Sequence, residues 1–362
     1  MDKLCITQIL WTLGRGGAER MVLDLSRYLK QADHDVELLA AGGGLMHADF
    51  KNESIPVAYA AEHIEQASRR DVYDFFWRSL IERRPDIVHT HLGGDIWGGL
   101  AAKKLGLHPW IITAHSHEPG LPFLQRIGRF FAYQFADHVV CVSDGVQTAI
   151  QKTYKVSSKK MSVIRIGIDA EQFSPRPAHL AGDVPKIISV GRLVPEKGHA
   201  TLLRALAKVE LPWTLELVGD GPEKMALVSL AETLGILPRI HFSGITNDVA
   251  AKLKEADLFC LPSRHEGQGL ALHEAAVACV PAIASDLASL REVFDAETML
   301  FATVEDVDAW TQAIYSSLTN YGEALRRAEQ AQALIKKTFR FDRMGEAYLL
   351  LYKKLLQKKN TV

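Results

Sequence analysis

Residues 261–286 read LPSRHEGQGLALHEAAVACVPAIASD. An apolar run ends at Leu261, a turn carrying Gly267 and Gly269 follows, and an apolar helical stretch opens near Leu270. A second short strand follows at Ala282–Ala284. Strand, glycine turn, helix, strand is the repeating unit of a parallel sheet covered by helices.

The same unit recurs on either side. Lys186–Val190 reads as a strand, followed by SVGRLVPEKGH over 189–199 and a helix over His199–Leu206. Leu215–Val218 leads into LVGDGPEK and a helix over Pro222–Leu234, then Ile240–Phe242, Val249–Glu255 and Leu258–Leu261. Upstream, Cys5–Trp11 enters GRGGAER before a helix over Glu19–Lys30. Val36–Ala40, Asp71–Arg83, Ile87–His89, Trp110–Ala114, His138–Val142 and Asp144–Lys152 continue the alternation. Between the two series, 171–185 holds three prolines and a glycine, a composition that suits a linker. The predicted fold is α/β, with two Rossmann-like domains whose parallel sheets face a central cleft. The first domain covers 1–174, the linker 175–185 and the second domain 186–342. A helix over 343–362 presents Met344, Tyr348, Leu351 and Leu355 on one face.

With 42 basic and 43 acidic residues the chain has a net charge of −1, so no global field draws it to nucleic acid. Its four cysteines are scattered, which suits a reducing compartment and supplies no zinc motif. Leu4–Leu13 reads as a strand entering a glycine turn, not as a signal peptide, and no run reaches the ~20 apolar residues that span a bilayer. The expected location is cytoplasmic, with a peripheral place on the cytoplasmic membrane face as the other reading. Phe123, Leu124, Ile127, Phe130 and Phe131 form a helical apolar stripe beside Arg126 and Arg129. Core or interdomain packing is the favoured explanation, and a seat on a membrane is the second.

The turns carry the chemistry. Arg192 and Lys197 flank a strand-to-helix turn, where a helix start supplies only about half a positive charge. A guanidinium and an ammonium added there bring the balance near that of a diphosphate. Glu266 in its turn and Glu274 about a turn into the following helix accept hydrogen bonds from vicinal hydroxyls, as a ribose or hexose offers. The backbone N–H groups at Gly267, Gln268, Gly269 and Leu270 favour an anion. Gly219 and Gly221 would let the backbone approach a flat or phosphorylated ligand. Neither GDGPEK nor GRGGAER is a dinucleotide or Walker fingerprint. His89, His91, His115 and His117 follow strands; a structural, hydrogen-bonded role is favoured for His89 and His91. Asp33-His34-Asp35 precedes a strand and reads as a turn.

In their order, GGAER, TAHSH, GRLVPEKGH, VGDGPEK and the Glu266–Glu274 pair resemble the retaining glycosyltransferases of family 4, which have the GT-B architecture. The resemblance implies that Gly16 and Gly17 face donor phosphates and acceptor, and that His115 lies near the reacting sugar. It makes Arg192 and Lys197 a diphosphate clamp and gives Glu266 to the donor sugar, Glu274 to the ribose and Ile245 to the base. The terminal helix would cross back onto the first domain. The chain departs from the family at Gln268, where an aromatic residue is common, and at Cys279, where glycine usually ends the helix. It also lacks glycines over 286–291 and an asparagine before Gly167.

The implied activity is transfer from a nucleoside diphosphate sugar to a glycan or lipid-linked acceptor with retention, requiring no metal and no further cofactor. Cell-surface polysaccharide or glycolipid synthesis is the expected setting. The alternatives are a nucleotide-sugar epimerase on the same fold and a non-catalytic nucleotide-sugar-binding subunit. The sequence leaves oligomeric state, base, sugar and linkage open.

Overall fold

The computed structural model describes residues 3–116, 121–174 and 184–359. They divide into two compact units. One takes the chain through Gly167 together with everything from Phe341 on, and the other takes Ile168–Arg340.

The first unit alternates β1 (Cys5–Thr12), α1 (Gly17–Gln31), β2 (Asp35–Gly42), α2 (His47–Asn52), β3 (Val57–Ala61), α3 (Arg69–Arg83) and β4 (Ile87–His91). It continues with α4 (Gly94–Lys104), β5 (Trp110–Ala114), α5 (Phe123–Phe135), β6 (His138–Cys141), α6 (Asp144–Tyr154) and β7 (Met161–Val163). Every strand pair is parallel, in the order β3-β2-β1-β4-β5-β6-β7.

The second unit runs β8 (Lys186–Val190), α7 (His199–Leu206), β9 (Thr214–Val218), α8 (Lys224–Thr233), β10 (Ile240–Gly244), α9 (Val249–Lys254) and β11 (Leu258–Leu261). Then come α10 (Leu270–Val277), β12 (Ala282–Ser285), α11 (Ala288–Arg291), β13 (Leu300–Ala302), α12 (Val307–Thr319) and α13 (Tyr321–Thr338). Its parallel sheet has the order β10-β9-β8-β11-β12-β13. Alternate residues of its strands feed two cores. Ile188, Val218, Phe259 and Leu261 pack with α10 and α13, while Ile187, Leu215, Leu217 and Cys260 pack with α7, α8 and α12. Period-two alternation with both faces apolar is what a sheet covered on both sides requires.

In each sheet the order reverses beside the first strand, between β1 and β4 and between β8 and β11. Loops at the strands' carboxyl ends diverge there and leave a crevice where ligands bind in open α/β sheets.

The boundary between units falls earlier than the expected residue 174. Ile168 and Phe173 lie in the second core, and Ile168 N–H donates to the Phe339 carbonyl at 2.7 Å. Most of the expected linker, 175–183, lies outside the described residues. The final helix, α14 (Phe341–Lys359), belongs to the first unit. It buries Met344, Tyr348 and Tyr352, with Tyr352 taking the central place that the sequence pattern assigns to Leu351. Arg27 of α1 stacks on Phe341, 4.6 Å from the ring centre.

After α10, Cys279 adopts a left-handed φ of 57°. This is the place where helices favour glycine, because a Cβ there crowds the backbone by roughly 1–2 kcal/mol. Cys279→Gly should therefore raise stability by about 1 kcal/mol, seen as a higher urea midpoint with an unchanged slope.

Candidate functional site

In the second unit the loops after β8 and β11 meet at the strand-order reversal. Gly198 ends the first loop with φ 66°, and a Cβ on it would stand 2.0 Å from the Pro262 carbonyl oxygen. Arg264 N–H donates to the Glu196 carbonyl at 2.8 Å. This lacing brings Lys197 Nζ to 2.6 Å from Glu266 Oε1, across 69 positions of sequence. Ser263 Oγ donates to the same carboxylate oxygen at 2.7 Å, and Ser289 Oγ donates to the Glu266 backbone carbonyl at 2.9 Å. The Glu266 side chain is only 9% exposed, so its charge needs this ammonium.

Arg192 is exposed on the same loop as Lys197. Gly267 and Gly269 are buried in the turn, and Gly269, at φ 73°, starts α10 with no side-chain cap. The helix begins just after the Glu266 turn, and Leu270 and Glu274 are half-buried along its first turns. Ile245 stands half exposed just after β10.

Gln268 is 2% exposed and its side chain turns inward, Nε2 3.4 Å from His273 Nδ1, so the group this position offers in the turn is its backbone N–H. Gly219 and Gly221 are needed for loop packing as well. Cβ atoms there would lie 2.0 Å from the Gly191 carbonyl oxygen and 2.4 Å from that of Leu193. They let the loop after β9 lie against the Arg192 loop, where Leu193 N–H donates to the Asp220 carbonyl at 2.9 Å.

The first unit holds a chain of neutral histidines. His89 Nδ1 lies 2.6 Å from Tyr352 Oη, and its Nε2 lies 2.8 Å from Thr113 Oγ1. His91 Nε2 is 2.7 Å from Gln8 Oε1, and its Nδ1 is 3.1 Å from His115 Nε2. His89 and His91 thus have the hydrogen-bonded structural role favoured from sequence. With the Gln8 oxygen facing it, His91 Nε2 donates, so its Nδ1 accepts from His115 Nε2–H. That leaves His115 Nδ1 as a lone pair, and it is buried with no partner among the described residues. A small cavity lined by Leu92, Asp95, Ser116, Arg129 and Tyr133 adjoins His115. Gly16 and Gly17 stand where β1 gives way to α1, Gly16 as the extended N-cap residue with no capping side chain. His117 lies outside the described residues. Among the described residues no three His, Cys, Asp or Glu side chains converge to hold a metal ion.

Burial pushes His115 down to about 3 and holds His89 and His91 well below the ordinary imidazole range. In the second unit burial takes His199 to about 4 and His273 to about 3. A histidine whose folded pKa lies below its unfolded value of about 6.5 takes up a proton only on unfolding. Its stabilising contribution is whole above about pH 6.5 and is lost as pH falls toward the folded value, by up to about 1.4 kcal/mol per pH unit for each group. The melting temperature should fall steadily between about pH 6.5 and pH 4; a flat scan would contradict neutral burial of these imidazoles.

Both halves of the chain match family models. Residues 15–172 match Glycosyltransferase Family 4, and residues 171–336 match Glycosyl transferases group 1. The GDP-mannose-dependent alpha-(1-6)-phosphatidylinositol monomannoside mannosyltransferase of Mycolicibacterium smegmatis is 31% identical over 273 residues, 65% of this chain and 70% of the relative. The D-inositol 3-phosphate glycosyltransferase of Mycobacterium avium is 28% identical over 305 residues, 76% of this chain and 71% of the relative. Among solved structures, Anabaena Alr3699/HepE in complex with UDP-glucose superposes with a TM-score of 0.87 at 20% identity, covering 97% of this chain and 100% of that one. The paired α/β units and the match of both halves lead to one assignment: the chain belongs to the family 4, group 1 glycosyltransferases of the GT-B fold.

Proposed function

We propose that the protein transfers a sugar from a nucleoside diphosphate sugar to a glycan or lipid-linked acceptor, with retention at the anomeric carbon and without a metal ion. The observation that carries this reading is the Lys197–Glu266 contact of 2.6 Å at the strand-order reversal, beside exposed Arg192 and the uncapped start of α10. An ammonium has three N–H donors, so Lys197 can hold Glu266 and still reach a phosphate oxygen. As the bond from anomeric carbon to phosphate oxygen breaks, negative charge gathers on the diphosphate. Arg192, Lys197 and the α10 N–H groups would stabilise that charge. A departing phosphate oxygen takes the acceptor hydroxyl's proton while that hydroxyl bonds the carbon on the same face.

Glu266 and Glu274 read sugar and ribose hydroxyls, Ile245 contacts the base, and the Gly267–Leu270 backbone receives phosphate. Gly16 and Gly17 face the donor phosphates and acceptor. Neutral His115 offers Nδ1 as an acceptor, which suits a sugar hydroxyl and repels a phosphate oxygen. The names of the two mycobacterial relatives, with their phosphatidylinositol mannoside and inositol phosphate acceptors, support a polyol or lipid-linked acceptor. UDP-glucose in the Anabaena neighbour supports the donor class. Cell-surface polysaccharide or glycolipid synthesis at the cytoplasmic face is the setting we assign.

With an α-linked donor and an acceptor, proton NMR of the product should show an α linkage, and excess EDTA should leave the rate unchanged. A β-linked product would rule out retention, and loss of activity in EDTA would rule out metal independence.

A further inference from the structure

A hydrogen-bonded relay crosses the strand-order reversal of the first unit and ends on a bare nitrogen. Gln8 of β1 stands in register with His89 of β4, and His91 of β4 with Thr113 of β5. Residues two apart on a strand share a face, so the relay runs as two diagonal steps along one face of the sheet. Gln8 Oε1 lies 2.7 Å from His91 Nε2, and His91 Nδ1 lies 3.1 Å from His115 Nε2. Gln8 and His91 are fully buried. The His89 ring, held by Tyr352 and Thr113, lies 4.1 Å from the His91 ring and limits its rotation.

An amide oxygen only accepts, so both protons of the relay point toward Gln8. Hydrogen bonds aligned in this way polarise one another, which strengthens the last acceptor, His115 Nδ1. An amide turned end for end would reverse the relay and put a proton on that nitrogen. The Gln8 amide also acts on the Tyr352 hydroxyl of α14. With its oxygen engaged at His91, its nitrogen is the end left for that side.

A network with a purely structural task closes on itself, as His89 does between Tyr352 and Thr113. This one stops at His115 Nδ1, buried and without a partner among the described residues. A buried polar atom left bare in a native protein calls for an explanation. The backbone beside it is strained as well. Leu92 follows His91 with a left-handed φ of 53° and lines the small cavity next to His115. Branched residues seldom hold that conformation, and where they do the surroundings enforce it, often at a working site.

We propose that Gln8 is a positioning residue which, through His91, fixes the proton of His115 on Nε2, so that Nδ1 can only accept a hydrogen bond. Use of that acceptor for a hydroxyl of the donor sugar rests on the transferase reading; the place of the proton does not.

Nitrogen NMR reads the proton directly, on full-length protein labelled with 15N-histidine, free of substrate, at neutral pH. The signals that His115→Asn removes belong to His115, and those that His91→Asn removes belong to His91. In both rings Nδ1 should resonate as a bare imidazole nitrogen and Nε2 as a protonated one. A protonated Nδ1 on either ring would overturn the proposal, and this wild-type result stands even if a Gln8 variant fails to fold. Gln8→Met keeps an unbranched side chain and removes the acceptor, so His115 Nδ1 should become protonated in part of the molecules. Gln8→Glu returns an acceptor and should return the wild-type pattern. An unchanged pattern in folded Gln8→Met would overturn the proposal whatever happens to the rate. With UDP-glucose or GDP-mannose as donor, kcat/KM should fall about tenfold in Gln8→Met, the worth of one neutral hydrogen bond, and recover in Gln8→Glu. Turnover of neither donor by the wild type would count against the transferase reading, and the NMR pattern would still decide the role of Gln8.

Discussion

Lys197→Ala should lower the rate of sugar transfer by about 10²–10³-fold, the range seen when one preorganised charge donor is removed from a departing anion. The substitution does two things at once. It takes a cation from the diphosphate side, and it leaves the Glu266 carboxylate, only 9% exposed, with Ser263 as its remaining side-chain donor. A buried carboxylate left without its ammonium loses the partner that compensates its charge and holds its oxygens in place. The two effects separate in a double-mutant cycle. Glu266→Gln keeps the shape and removes the charge, so Lys197→Ala with Glu266→Gln should lose less than the product of the single losses. Steady-state kinetics at saturating acceptor measures both. Full additivity would mean that the 2.6 Å contact carries no coupling in the working enzyme.

Gly198→Ala should be among the most damaging small substitutions in the second unit, destabilising it by about 3 kcal/mol or more. A methyl there meets the Pro262 carbonyl oxygen at 2.0 Å, and the backbone holds φ at 66°. Relief requires the loops after β8 and β11 to part, which separates Lys197 from Glu266. Gly235→Ala is the control. It has nearly the same left-handed φ, 69°, with nothing within 4 Å of the added methyl, so only the backbone penalty of roughly 1–2 kcal/mol applies. Urea denaturation followed by circular dichroism should show the two midpoints well apart. Equal shifts would show that the packing of Gly198 on Pro262 contributes little.

The alternation of strand, turn and helix was legible because buried strands are short and continuously apolar while the helices between them are amphipathic. The same rule conceals some elements. The α4 stretch carries Gly94, Gly98 and Gly99, which reads as a breaker, yet Gly99 is required because a Cβ there would meet the Trp110 ring at 1.9 Å. The helix α13 buries Ala324, Ala328, Ala331 and Ile335, a stripe mostly of alanine with too little contrast to mark a face. The short strands β3, β7 and β13 lie at sheet edges or hold three residues, so little periodicity accumulates.

At the site, the turns and their charges were readable, and the contacts among them were not. Lys197 and Glu266 meet only because two glycine-dependent loops converge. Gln8 lies 83 positions from the histidine it orients. The Gln268 side chain turns inward, its Nε2 3.4 Å from Nδ1 of the buried His273, an orientation no sequence pattern signals. No pattern in the sequence distinguishes a glycine that admits a ligand from one that admits another loop, as Gly219 does for the Gly191 carbonyl.

Thermal shift with a panel of nucleoside mono- and diphosphates and their sugars, on the wild type and on Arg192→Ala and Lys197→Met, addresses the donor site most directly. The diphosphates of one base should raise the melting temperature well above the effect of the matching monophosphate, and both variants should lose that difference. Equal stabilisation by mono- and diphosphate, or a diphosphate effect that survives in both variants, would contradict Arg192 and Lys197 as the residues that hold the leaving group.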